Sequence, residues 1–177
     1  AGLNSGLVTP ASTVRDPGWY SLPGSSHKYR DWILRIRGTG HAARVDMHMA
    51  IVESCDVYFY DLARRLTIDR MADYLRPFGF GEFTQVDTTN ERRGVLPSTR
   101  WKREAMGQPW YPGETISAGI GQGYMLVTPL QVAEEDQVVG HEENALRQEG
   151  DGPADGPRVA AVRERFDLNE TGQNRAH

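Results

Sequence analysis

Residues 45–66 read VDMHMAIVESCDVYFYDLARRL, and this stretch decides how the chain is built. Ala50, Ile51, Cys55, Tyr58, Phe59, Leu62 and Leu66 recur at steps of one, three and four, marking one face of a helix, and Asp46 is placed to cap its start. Ser54-Cys55-Asp56 interrupts the apolar run with three small polar side chains. Two readings follow: a polar turn of helix that faces water, or a Ser-x-Asp turn that points two hydrogen-bonding groups into a cleft.

Working outward, Thr67 starts a second helix whose stripe is Ile68, Met71, Ala72, Leu75 and Phe78, with Gly79 and Gly81 to stop it. Pro97-Ser98 opens a third over residues 100–106, closed by Gly107, and Thr128-Pro129 opens a fourth at Leu130. Between these lie Tyr111-Pro112-Gly113, read as a turn, and residues 117–124 with three alternate glycines. Residues 1–44 are rich in turn formers (Asp16-Pro17-Gly18, Pro23-Gly24, Gly38-Thr39-Gly40) and predict loops with short strands around 13–14 and 19–22. From Glu134 the composition turns acidic and poor in aromatics, so residues 134–177 are expected to be disordered.

The whole chain of 177 residues carries a net charge of −4, with 25% charged and 38% hydrophobic residues, which excludes collagenous and low-complexity polymers. Residues 1–133 balance 15 basic against 13 acidic side chains, whereas residues 134–177 hold 5 against 11. No basic stripe is interleaved with aromatics, so nucleic acid is not an expected partner. No run of about eighteen apolar residues is present to span a bilayer, and no signal peptide opens the chain. The chain begins with Ala1 and reads as part of something longer.

Ser25-Ser26-His27-Lys28 matches Ser-x-x-Lys, the pairing in which a lysine one helical turn away activates a serine nucleophile. It follows Pro23-Gly24 in a turn-rich stretch, so the helical geometry is not expected and the match is a decoy. Gly119-Ile120-Gly121-Gln122-Gly123 lacks the spacing of a dinucleotide or P-loop motif, and its glycines are read as allowing close backbone approach. The lone Cys55 has no internal disulfide partner, which leaves a core thiol, a metal ligand or a reactive group. Asp16, Asp31, His41 and Cys55 make a donor set suited to tetrahedral zinc, but no two are closely spaced, so the residues alone leave the metal reading open.

Several blocks follow one another in a fixed order: Asp16-Pro17-Gly18-Trp19-Tyr20, Leu22-Pro23-Gly24, Lys28-Tyr29-Arg30-Asp31-Trp32, Ser54-Cys55-Asp56-Val57-Tyr58-Phe59-Tyr60, Pro109-Trp110-Tyr111-Pro112-Gly113-Glu114-Thr115, Gly119-Ile120-Gly121-Gln122-Gly123-Tyr124 and Thr128-Pro129-Leu130-Gln131. Together they resemble the transpeptidase domain of the penicillin-binding protein 2 family, enzymes that cross-link peptidoglycan in cell-wall synthesis. The resemblance covers residues 1–133, a partial domain, and leaves 134–177 as a non-homologous tail. It implies an α+β fold of the penicillin-binding protein and serine β-lactamase kind, of which this stretch is a mostly helical fragment.

The resemblance also implies a serine acyl-transfer reaction on D-Ala-D-Ala stem peptides, with β-lactams acylating the same serine. Of the three motifs of such a site, the middle one carries over, onto Ser54 and Asp56 as catalytic residues. The Ser-x-x-Lys helix is expected just before Ala1 and the Lys-Ser/Thr-Gly strand after the fourth helix; Glu170-Thr171-Gly172 does not replace the latter, because Glu reverses the charge a substrate carboxylate needs. The isolated chain is therefore expected to be inactive. A structural zinc ion on Asp16, Asp31, His41 and Cys55 is implied as well. So are membrane proteins of the elongation machinery as partners, and a parent enzyme anchored in the inner membrane with a periplasmic catalytic domain. The alternatives are a non-enzymatic, zinc-stabilised helical module that binds a protein, and a zinc hydrolase using Asp16, Asp31 and His41.

Overall fold

The computed structural model describes residues 1–86 and 89–133; the acidic stretch 134–177, expected to be disordered, lies outside the described residues. Residues Ala1–Gln131 form one unit. In chain order its elements are strands β1 (Trp19–Tyr20) and β2 (Tyr29–Arg30), helices α1 (Ile33–Arg37), α2 (Met47–Val52), α3 (Asp56–Leu66) and α4 (Ile68–Leu75), a 3-10 turn (Arg76–Phe78), then α5 (Thr99–Met106) and α6 (Pro112–Ala118). A further helical turn starts at Pro129.

Helix α3 is the axis of the unit and touches α2, α4, α6 and both strands. Its buried Val57, Tyr58 and Tyr60 join Val45, Ala50, Cys55 and Ile116 in the core. The strands form an antiparallel hairpin, Trp19 opposite Arg30 and Tyr20 opposite Tyr29, whose rings lie against Tyr60. A second, isolated pairing joins Val14 to Val45.

The continuous helix expected across 45–66 is two helices. Asp46 caps α2 as anticipated, its carboxylate accepting from Met49 N. The chain then turns at Glu53, and Ser54 adopts a left-handed φ of 51° before α3 begins at Asp56. Ser, Cys and Asp are weak helix-interior residues that compete for backbone hydrogen bonds, which is why the break falls here. Because the axis changes, Ile51 does not join the apolar face and is 63% exposed.

Two helices went unread in the sequence. Helix α1 is only five residues long, too short for a period to register. Helix α6 starts where a turn was expected: Pro112 sits in its first turn, and Glu114 reaches back to accept from Tyr111 N at 2.8 Å. Its Thr, Ser and Gly content gives little local signal, so packing of Thr115, Ile116 and Ala118 supplies what propensity does not. The other oxygen of Glu114 pairs with Lys102, a cation 1% exposed that lies near the rings of Trp110, Tyr111 and Tyr124.

Helix α4 follows Thr67 as expected, yet Thr67 makes no side-chain cap and sits at φ 71°, ψ 156°, a conformation costly for a β-branched residue. Ser98 and Gly107 bound α5 as anticipated, Ser98 Oγ accepting from Trp101 N and Gly107 taking the left-handed conformation. Thr128 Oγ1 accepts from Gln131 N, while the wholly buried Gln131 carboxamide donates to carbonyls of Gly79, Glu82 and Arg93.

The alternate glycines divide by role. Gly119 closes α6 against α3, and any Cβ there would collide with the Ala63 methyl. Gly121 and Gly123 supply positive φ. Gly119→Ala should therefore force α3 and α6 apart and lower stability by about 1–3 kcal/mol, read from the urea unfolding midpoint.

Candidate active-site wall and metal centre

The hairpin register builds the first half of the site. Asp31 immediately follows β2, and its N–H donates to Gly18 O at 2.9 Å, which sets Asp31 beside the Asp16-Pro17-Gly18 segment that leads into β1. The Asp16-Pro17-Gly18 turn closes on Asp16 itself: Gly18 N donates to Asp16 Oδ1 at 2.6 Å, and Gly18 takes a φ of 88°. The Val14–Val45 pairing brings the returning chain alongside, where Asp16 N donates to Ala42 O. Gly40 lies so close to this turn that a Cβ would strike the Asp16 carbonyl. His41 is thereby delivered to Asp16, its N–H donating to Oδ2 at 2.8 Å and its Nδ1 lying 2.7 Å from the same oxygen.

Cys55 enters from the break between α2 and α3, and its thiol donates to Asp16 Oδ2 at 3.5 Å. The four residues read from the sequence as metal ligands are thus one cluster: a ligating atom from each of Asp16, Asp31, His41 and Cys55 lies within 4.8 Å of the others. The side chains of Asp16, Asp31 and His41 are fully shielded from solvent, and Cys55 is 0% exposed.

The electrostatics follow from that burial. Desolvation alone would raise the Asp16 carboxyl, but donors from His41 N, Gly18 N, the His41 ring and Cys55 outweigh it and hold the carboxyl below its ordinary range. Burial pushes the Cys55 thiol up to about 12, with the charges of Asp16 and Asp31 adding to it and a backbone N–H from Tyr58 opposing. His41 Nε2 lies 3.0 Å from Glu53 O, and Nδ1 is the nitrogen that faces Asp16 and Asp31.

This donor set fits a divalent ion. Two buried carboxylates have one imidazole near them, and among the described residues no Lys or Arg forms an ion pair with either. Asp31 Oδ2 stands 3.6 Å from His41 Nδ1, and Cys55 Sγ 3.5 Å from Asp16 Oδ2. Ligand atoms around tetrahedral zinc are about 3.3–3.6 Å apart, given its usual bond lengths. The contact of Nε2 with the Glu53 carbonyl is the kind of outer hydrogen bond that fixes which nitrogen binds.

The cluster is also what holds the Ser-x-Asp turn. Glu53 O accepts from His41, and Ser54 O accepts from the Trp32 indole N–H at 2.9 Å. Cys55 is anchored by its thiol, and Val57 N donates to Asp31 Oδ2 at 3.3 Å, so Asp31 caps α3 across 26 residues while its Oδ1 caps α1 at Ile33 N. Asp56 is half-buried; desolvation raises its carboxyl, the nearby Asp31 charge adds to this, and a backbone donor from Trp32 partly offsets both. Ser54 is exposed and Asp56 half-buried, on either side of the buried thiol. The sequence reading missed Trp32 and Glu53 as supports of the turn; the Asp31-Trp32 pair was quoted only as part of a motif.

The decoy Ser25–Lys28 lies in the hairpin loop, off any helix, with the Lys28 ammonium over the Trp19 ring. Among the described residues no helix is long and apolar enough to cross a membrane.

A hairpin and buried cluster that lock a Ser-x-Asp turn at the head of a central helix define a class, and comparison with known proteins agrees. Residues 1–146 match the penicillin binding protein transpeptidase domain, and the chain belongs to that family. It is 48% identical over 132 residues to the peptidoglycan D,D-transpeptidase MrdA of Acinetobacter baumannii, covering 75% of this chain and 19% of that protein. The crystal structure of Pseudomonas aeruginosa penicillin-binding protein 2 in complex with WCK 5153 superposes with a TM-score of 0.72 at 46% identity, over 80% of this chain and 31% of that one. Penicillin-binding protein 2 of Helicobacter pylori, in its complex with MreC, gives a TM-score of 0.62 at 40% identity, over 71% of this chain and 22% of that one. The chain thus spans about a fifth of the length of the curated relatives it matches. These relatives lend no support to a non-enzymatic interaction module.

Asp31→Ala removes caps from both α1 and α3. We expect a loss of about 2 kcal/mol in metal-free protein, measured by denaturant unfolding, with Asp46→Ala costing about half as much.

Proposed function

We propose that these residues form one wall of the active site of a peptidoglycan D,D-transpeptidase. The observation that carries the reading is the Glu53–Val57 turn, in which an exposed Ser54 and a half-buried Asp56 flank an anchored Cys55. The reaction is acyl transfer: the serine of a Ser-x-x-Lys helix attacks the D-Ala-D-Ala carbonyl of a stem peptide, the terminal D-Ala leaves, and an amine from a neighbouring stem takes the acyl group. Ser54 would pass a proton between the motif lysine, the nucleophile and the leaving amine, which requires its hydroxyl at a fixed point in the cleft. Asp56 would orient the substrate and the neighbouring strand. β-Lactams would acylate the same nucleophile.

Zinc belongs to this proposal as a structural ion on Asp16, Asp31, His41 and Cys55. When bound, it would neutralise the buried carboxylates and the thiolate and tie the hairpin to the turn. No open position is required, which sets this reading apart from a zinc hydrolase. The partner reading draws on the Helicobacter pylori relative, whose complex with MreC supports association with the elongation machinery. Anchoring of the parent in the inner membrane, with a periplasmic catalytic domain, completes the reading.

Fluorescent penicillin tests the function. Residues 1–177 alone should form no covalent adduct, while a chain that joins them to the nucleophile helix and the Lys-Ser/Thr-Gly strand should be labelled. Ser54→Ala in that longer chain should slow acylation about a hundredfold. A longer chain that resists labelling overturns the reading. For the metal, elemental analysis should find one zinc per chain, lost together with thermal stability on chelation and in Cys55→Ser; protein purified without zinc and equally stable to heat would remove the ion from the proposal.

A further inference from the structure

The serine of the Ser-x-Asp turn is held from outside by an aromatic side chain. Trp32 lies between the ligand-like Asp31 and the first residue of α1, and its ring is 47% exposed although it is among the largest apolar side chains of the unit. Its indole N–H donates to Ser54 O at 2.9 Å across 22 residues of sequence. The ring stands edge-on to His41, with centroids 6.0 Å apart.

Those contacts are not what a half-exposed tryptophan needs for burial alone. Ser54 holds a left-handed φ of 51° that serine does not favour, so something must hold its peptide group in place. The Ser54 N–H reaches Ile51 O only at 3.4 Å, which leaves the carbonyl side as the firmer anchor.

We propose that Trp32 is a positioning residue for the transpeptidase reaction, fixing Ser54 through its indole N–H. This rests on the transpeptidase reading given above. Trp32 touches neither substrate nor nucleophile in this role. It sets the peptide plane of Ser54, and hence the direction of the hydroxyl. Loss of the indole donor should therefore slow chemistry more than it weakens binding.

The test uses the longer, metal-loaded chain that carries the nucleophile, with Trp32→Phe, which deletes the indole N–H and keeps an aromatic ring. We expect the acylation rate constant for penicillin to fall about three- to tenfold, as for loss of one hydrogen bond, with the dissociation constant of the preceding non-covalent complex, the zinc content and the unfolding midpoint unchanged. Acylation of Trp32→Phe at the wild-type rate overturns the role of Trp32, and so does a slowing that follows a lowered unfolding midpoint. A wild-type chain that is not acylated instead overturns the transpeptidase reading on which the role rests. Hydrogen exchange in the wild-type chain is independent of the variant's folding: the Trp32 indole proton, assigned through its contacts with the His41 ring, should be protected. Exchange of the indole proton at the free rate overturns the proposal.

Discussion

Everything in the unit is arranged around two carboxylates that have no water. Asp16 and Asp31 are stripped of solvent, and a bare buried carboxylate is prohibitively costly, so each oxygen must be met by a donor. The chain meets that demand with six groups from five residues: Gly18 N, His41 N, the His41 ring, the Cys55 thiol, Ile33 N and Val57 N. Satisfying those oxygens forces the hairpin, helix α1, the Gly40-His41 segment and the head of α3 into one arrangement. The rest of the fold packs behind it, with α4 and α6 laid along the far part of α3.

This arrangement explains how a strained turn can stay rigid. Residues 53–57 have little helical hydrogen bonding of their own, yet Glu53, Ser54, Cys55 and Val57 each have an external partner: a histidine, a tryptophan, a carboxylate and a second carboxylate. Rigidity here comes from convergence of separate segments rather than from local structure. Such convergence suits groups whose positions must be held to fractions of an ångström while one face stays open.

Helices α3, α4 and α5 were legible because their apolar residues repeat with helical spacing and their ends carry Thr, Ser, Pro and Gly in capping positions. The break at Ser54 was legible as a change in composition, though not as a change of axis, since a period cannot distinguish a kinked helix from two. Helix α6 was hidden because its residues favour turns and only the face of α3 makes them helical. The four candidate ligands could be named from their chemistry and from family resemblance, but their meeting could not be computed from spacing: a hairpin register brings Asp31 to Asp16, and a single β-bridge between Val14 and Val45 brings His41 there. Trp32 and Glu53 stayed out of sight for a related reason. An indole N–H and a backbone carbonyl carry no sequence signature, and their value exists only once the turn is in place.

Gly40 has one more bearing on how such a domain can change over time. Because the Asp16 carbonyl fills the space where a side chain would project, position 40 tolerates nothing larger than hydrogen while His41 is to keep its contact. The segment just before it is under no such restriction: residues 33–37 form a short surface helix that ends at a left-handed Gly38 open to solvent. Lengthening a loop costs little in chain entropy, so insertions between Asp31 and Gly40 should accumulate upstream of the glycine and leave the Gly-His step untouched. Divergent members of the lineage would then differ in the length of that excursion while preserving its landing point.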